Sequence, residues 1–432
     1  MSEPDSAPAT AAVPDTIAPA MSERMVSFLG ALFVVIGPMS MALYTPAMPA
    51  IVDAFATTEA AVKMTLALYF AGFAFAQLLA GPMSDSLGRK PVLAAFMVIY
   101  CVASIFALYT PSVEALILAR FAQGIGASAG VAISRAIVRD LFNHDQSSRI
   151  MNMIGIILAA GPAVAPTIGG LTMEIAGWRA IFGVMALLGL TVMGAALFVL
   201  RETAPVERVP LRLSTLGRSY LTLLAHTHFM LTSMIMACTV GALYAQATFL
   251  PFILMSRVGL TPSQFGFSMI AQSGTFFLGA LLVRSLMRRT SAARLVAPGL
   301  LLIGVGSALQ TLLNFWEPSL LRVMGPVAVY ACGIAFVMPA MTTACLAPHG
   351  KIAGAASALM GFMQMGLGLL MGAAGALMGD PVRAMGTLIP LMGASSILCW
   401  LAYRVKYGAA DVPQPDGRII ASIPPGRTLG GS

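Results

Sequence analysis

Residues 81–93 read Gly-Pro-Met-Ser-Asp-Ser-Leu-Gly-Arg-Lys-Pro-Val-Leu. This charged, glycine-bearing turn stands between two long apolar runs, residues 60–80 and 92–109. About 20 apolar residues in a helix cross the hydrocarbon core of a bilayer, and both runs are of that order. A chain that confines its charge to a tight turn between two such segments reads as a polytopic membrane protein. Composition agrees. The 432 residues are 58% hydrophobic and 10% charged, where an ordinary soluble domain carries about a quarter charged residues. The mean hydropathy is +0.87.

Outward from that turn, apolar segments recur. The expected spans are 26–50, 59–82, 91–109, 113–139, 149–173, 178–200, 228–255, 263–286, 293–313, 319–345, 352–378 and 383–404. Pro and Gly inside them are normal for membrane helices. The longest gap, 201–227, carries Arg201, Arg208, Arg212 and Arg218 and divides twelve spans into six and six. The expected fold class is therefore an all-α membrane protein with twelve transmembrane helices in two six-helix halves. Residues 1–25 are expected to be a disordered N-terminus, 26–200 the first bundle, 201–227 a cytoplasmic linker, 228–404 the second bundle and 405–432 a disordered tail. With both termini inside, 19 Lys and Arg residues fall on the cytoplasmic side and 5 on the outer side, the sense of the positive-inside rule. Ser86-Leu87-Gly88-Arg89-Lys90 aligns with Ser285-Leu286-Met287-Arg288-Arg289, each after the second span of its group. That faint repeat fits two pseudo-symmetric halves around a central cavity.

Several function classes fall away. The net charge of +8 comes mostly from loop arginines, so no nucleic-acid partner is expected. Cys101, Cys238, Cys332, Cys345 and Cys399 all lie in apolar segments without C-x-x-C spacing, so neither disulfides nor a metal site is expected. His144, His226, His228 and His349 lie in or beside cytoplasmic loops. No nucleophile or metal cluster falls inside the spans, and no phosphate-binding G-x-x-x-x-G-K-[ST] occurs. An enzyme is not expected, and no ring of charge or filter sequence suggests a channel. The N-terminal segment lacks a basic start and a cleavage site.

Four motifs carry a resemblance. Gly81, Asp85, Gly88, Arg89 and Lys90 fit G-x-x-x-D-x-x-G-R-K/R, which resembles the loop between helices 2 and 3 of major facilitator superfamily transporters. The fourth span carries Arg120-Phe121-Ala122-Gln123-Gly124-Ile125-Gly126, similar to the R-x-x-Q-G-x-G motif of proton-driven drug exporters. Gly161, Pro166, Gly169 and Gly170 match the antiporter motif of the fifth span, with Pro162 beside them, Ala165 in place of a glycine and Asn152 where an earlier glycine is usual. Small residues at 161, 165 and 169 share a face that permits close packing. Tyr44-Thr45-Pro46-Ala47-Met48-Pro49 resembles the D-M-Y-L-P-A-L-P signature of the bicyclomycin/chloramphenicol-resistance (Bcr/CflA) branch. The resemblance covers most of residues 26–205. It implies a gate cluster of Asp85, Arg89 and Asp140, which could also engage the N-terminal end of helix 11. It further implies drug:proton antiport in a bacterial inner membrane.

One departure matters. The signature aspartate is Ala42 here, and all seventeen acidic residues can be assigned to termini, loops or helix ends. The expected membrane core holds no carboxylate. Arg120 lies roughly 10 Å inside the outer end, where an intramembrane charge marks function. Neutral polar groups are expected to fill the cavity: Tyr44, Gln77, Gln123, Tyr244, Gln246, Gln272, Gln310, Asn314, Tyr330 and Gln364. The expected activity is export of small apolar neutral or weakly anionic drugs by alternating access. The proton motive force drives it and no bound cofactor is needed. Arg120, Gln123, Tyr44, Gln246, Gln272 and Gln364 are the candidates for proton coupling or substrate contact. The alternative is a permease or exporter of an anionic metabolite that uses Arg120 as its clamp. Small molecule, protons and bilayer are the expected partners of a monomer.

Overall fold

The computed structural model describes residues 21–142, 144–203 and 213–408. The expectations for 1–20, 409–432 and the linker stretch 204–212 lie outside the described residues.

Helix α1 (Glu23–Tyr44) continues through a 3-10 turn, Thr45–Ala47, into a short helix, Met48–Ala54. Then come α2 (Glu59–Leu87), α3 (Arg89–Leu108) and α4 (Val113–Leu141). The stretch His144–Gly194 is helical except at Gly177, whose φ of 77° breaks it. It thus forms α5 (144–176) and α6 (178–194), and α6 ends in a π turn, Ala195–Val199. After the linker come α7 (Leu213–Ala225) and α8 (Thr227–Pro251), the latter extended by a π turn, Phe252–Arg257. The rest are α9 (Pro262–Leu286), α10 (Ala292–Thr311), α11 (Leu320–Leu346), α12 (Ala353–Met378) and α13 (Pro381–Tyr407). Eleven helical stretches among the described residues are long and apolar enough to cross a membrane. One of them, Val164–Val199, runs from the later part of α5 through α6, and with α5 and α6 counted apart the spanning helices among the described residues number twelve.

Side chains fix where these helices begin. Ser22, Thr58, Ser112, Ser319 and Asp380 each accept a backbone N–H from the first turn that follows, and Thr261 with Gln264 forms a full capping box. Each cap satisfies an orphan donor, which is worth about 1 kcal/mol. The structure departs from the expected linker 201–227 by placing helix α7 within it. There Leu213, Leu216, Tyr220 and Leu223 recur at helical spacing. Leu223 is buried, and the Tyr220 hydroxyl donates to the Leu78 carbonyl of α2 at 2.7 Å.

The buried apolar side chains form two large clusters. One is built from α1–α6, with Phe252 added from the far half, and the other from α7, α8 and the remaining helices. Within the first half, α2 and α4 touch backbone to backbone. A Cβ on Gly72 would overlap the Phe121 carbonyl, and one on Gly124 would overlap the Tyr69 carbonyl. Membrane helices associate through such small-residue contacts because lipid offers no hydrophobic drive between them. Between the halves, α2 packs on α12 and α5 on α9. The α5–α9 seam depends on the antiporter-motif glycines. Gly170 meets the Pro262 carbonyl, and Gly266 meets Pro166 and Thr167.

Candidate functional site

A cavity of about 300 Å³ lies between the halves, lined from α1, α5, α8, α9 and α11. Ala42, Thr45, Pro166, Tyr244, Gln272 and Met338 are among its walls, and among the described residues no charged one lines it. Pro38 and Pro166 stand within α1 and α5 beside it. Most of the wall is apolar, with polarity from Thr45, Tyr244, Gln272 and Ser273. A pocket like this suits a small apolar molecule positioned by a few hydrogen bonds. Ala42, where the signature acid would stand, is part of the wall. The missing carboxylate is therefore missing from the cavity itself.

Arg120 is placed differently from the sequence expectation. It is fully buried inside the first half and does not line the cavity. Its guanidinium lies between the rings of Tyr44 and Tyr69, 4.4 and 4.3 Å from their centroids. One terminal nitrogen, Nη1, donates to Gln123 Oε1 at 2.8 Å, and Gln123 Nε2 donates onward to Ser104 at 2.7 Å. Arg120 Nε and Nη2 have no hydrogen-bond partner. Two π faces offset the missing counter-ion, a contact worth about 2 kcal/mol or more when desolvated. The rings are themselves held. The Tyr44 hydroxyl pairs with Thr65 at 2.6 Å, and the Tyr69 hydroxyl donates to the Gly37 carbonyl at 2.8 Å. Tyr44, Gln123 and Arg120 thus form one network among α1, α2 and α4, behind the cavity wall.

The neutral residues expected in the cavity also divide. Tyr244 and Gln272 line it. Gln246 and Gln310 pair with each other at 3.4 Å in the interior of the second half, where Gln246 Oε1 and Gln310 Nε2 remain without partners. Tyr330 is fully buried against α8, and Asn314 donates to the Gly386 carbonyl at 3.0 Å. Gln364 is half-buried, with its backbone carbonyl against Gly241 of α8. A sequence read one helix at a time cannot tell a cavity-facing amide from one that bonds a neighbouring helix.

The quoted turn folds into a charge cluster at the arginine-rich end. Gly88 has φ 109°, which an L side chain rarely adopts, and it turns the chain from α2 into α3. Arg89, 2% exposed, donates to Asp85, to Asp140 Oδ2 at 3.0 Å and to Ser84 Oγ at 2.7 Å. Arg139 stands 3.8 Å from Asp85 and 4.0 Å from Asp140. The expected grouping of Asp85, Arg89 and Asp140 is therefore present. Asp85, however, meets these two arginines, and among the described residues no hydrogen bond or ion pair joins it to the start of α12, the eleventh span. Lys90 contributes its backbone, and Gly81 faces Ala132 of α4 at 4.0 Å.

Glu202 was not singled out from the sequence. Its carboxylate accepts the backbone N–H groups of Arg89 at 2.9 Å and Lys90 at 3.2 Å, so it caps α3 from 113 residues away. A carboxylate there favours the helix dipole. Its position just past the sixth span was the only clue. Of the fifth-span motif, Gly169 lies against the Leu43 carbonyl and Pro46, and Gly161 against Val35. The side chain of Pro162 lies outside the described residues. At the end of the molecule opposite the charge cluster, side-chain contacts cross between the halves. Glu174 accepts from the Ser263 N–H at 3.0 Å and hydroxyl at 2.7 Å, and Lys63 lies over the Phe252 ring at 4.9 Å.

Comparison with known proteins agrees with this fold. The family model described as Major Facilitator Superfamily matches residues 30–410. The chain is 30% identical over 392 residues to the multidrug resistance protein D of Escherichia coli strain K12, covering 88% of this chain and 96% of that one. It is 31% identical over 332 residues to a chloramphenicol resistance protein of Pseudomonas aeruginosa, covering 74% and 75% respectively. Among solved structures, a D-xylose-proton symporter superposes with a TM-score of 0.70 over 92% of this chain and 99% of its own, at 14% identity.

Proposed function

The chain belongs to the major facilitator superfamily, and from that premise we propose that it exports small, largely apolar drugs, neutral or weakly anionic, by proton antiport. It works as a monomer in a bacterial inner membrane, with the arginine-rich end and both termini in the cytoplasm. The observation that carries the substrate class is the cavity wall. It is apolar, it offers hydroxyl and amide groups, and with alanine at position 42 it presents no charge to attract a cation. The names of the relatives support drug export as the activity. Alternating access supplies the mechanism. The halves rock about the seams α2–α12 and α5–α9, and the cluster of Asp85, Arg89 and Asp140 biases one arrangement over the other. Arg120 stays behind the wall in this conformation and holds its helices through the two tyrosines.

The test is accumulation of radiolabelled chloramphenicol in cells lacking their own exporters, with and without this protein. The expected result is lower accumulation in its presence, restored by a protonophore. Equal accumulation of chloramphenicol, with lower accumulation of a lipophilic cation such as tetraphenylphosphonium, would overturn the substrate class.

A further inference from the structure

A second cavity, of about 660 Å³, opens at the arginine-rich end where three helix ends meet. Met21, Ser22 and Met25 line it from the start of α1, Lys90 lines it from the start of α3, and residues 198–202 line it from the end of the π turn after α6. Each of these helices belongs to a membrane-spanning stretch that begins or ends there, so the cavity lies at the bilayer surface. Its lipid side is apolar. Phe198 is 88% exposed and Met25 44%, and exposed apolar groups at such a place mark contact with the membrane. Its aqueous side carries two cations, Lys90 and Arg201. Glu202 is the one carboxylate among the described residues that line it. That carboxylate accepts the backbone N–H groups of Arg89, Lys90 and Thr203, so its charge is directed at the start of α3. Among the described residues the Lys90 ammonium forms no ion pair.

We infer that this cavity is a headgroup site for an anionic phospholipid. Lys90 and Arg201 hold the phosphodiester, the glycerol headgroup fills the space between α1, α3 and α6, and the acyl chains leave past Phe198 and Met25. A basic pocket between spanning helices at the membrane surface has the chemistry that such headgroups take. The apolar side decides between a lipid and a free phosphate, since only a lipid covers Phe198 while its phosphate meets the cations. Each Lys or Arg near the surface strengthens binding of an anionic lipid about fivefold. Arg289 stands in the second half where the internal repeat places the counterpart of Lys90, and it does not line this cavity. It therefore separates a built site from diffuse attraction to basic loops. The inference does not depend on what the central cavity carries.

Native mass spectrometry of the purified full-length protein, titrated with phosphatidylglycerol, phosphatidylethanolamine or soluble glycerol phosphate, tests this. The wild type is expected to retain phosphatidylglycerol about tenfold more tightly than the zwitterionic lipid, and glycerol phosphate should not displace it. Lys90→Gln and Arg201→Gln are each expected to weaken phosphatidylglycerol about fivefold and to leave phosphatidylethanolamine within about twofold. Lys90→Arg keeps the charge and should keep most of the preference. Arg289→Gln should leave both lipids unchanged. Equal wild-type retention of the two lipids would overturn the inference, as would an equal loss of phosphatidylglycerol in Arg289→Gln. Displacement of the lipid by glycerol phosphate would make the cavity a site for aqueous anions and would overturn it too. The wild-type preference and the displacement arm hold their meaning even where a variant fails to fold.

Discussion

Arg89→Ala is expected to abolish most transport and to destabilise the protein by about 3 kcal/mol, because removing one partner of a buried ion pair strands the other. Arg89 is 2% exposed and Asp140 10%, and their contact at 3.0 Å lies where water reaches poorly. Asp85 is 48% exposed and can be rehydrated, so most of the loss comes from Asp140 and from the Ser84 contact. The cap on α3 survives the substitution, since Glu202 accepts from the backbone N–H of residue 89, which alanine keeps. Arg89→Lys keeps the charge but not the fork that reaches Ser84, Asp85 and Asp140 together. It is expected to retain the fold and to lose most of the rate. Thermal melting in detergent and drug efflux in cells measure the two effects separately. Wild-type efflux by Arg89→Ala would contradict a gating role for the cluster.

Ala42→Asp is expected to turn the protein toward lipophilic cations. The position lies in the wall of an apolar cavity that holds no other charge, so an ionised carboxylate there would meet a bound cation with little competition. Two unit charges about 4 Å apart interact by about 4 kcal/mol at an effective dielectric constant near 20. Part of that is offset by desolvating the carboxylate, which leaves a gain on the order of a hundredfold in affinity for tetraphenylphosphonium. Affinity for chloramphenicol should fall or stay level. Equilibrium binding of both ligands to wild type and variant reads the switch directly. An unchanged cation affinity would mean that molecules bind elsewhere than in this cavity.

The fold was legible from the sequence because membrane spans announce themselves one at a time, by length and apolarity. The charge cluster was legible through the family resemblance, which implied Asp85, Arg89 and Asp140 together. Asp85 and Arg89 sit four residues apart across a glycine with positive φ, so their meeting is nearly local. What could not be read was which helix face each buried polar group occupies. Tyr44 and Gln123 turn into the first half to hold Arg120, while Gln272 turns into the cavity. Glu202 and Arg135 escaped notice because their partners, the start of α3 and Ser357 of α12, are 112 or more residues away in the chain. Helix α7 was absorbed into the linker because its apolar stripe is too short to resemble a span.

The account as a whole rests on proton antiport without a carboxylate in the cavity. Everted membrane vesicles containing the protein, with an acidified lumen reported by a quenched pH dye, test it most directly. Addition of chloramphenicol is expected to release quenching, as protons leave in exchange for the drug, and Arg89→Ala should abolish the release. Uptake of radiolabelled chloramphenicol into the same vesicles with no change in quenching would contradict the account.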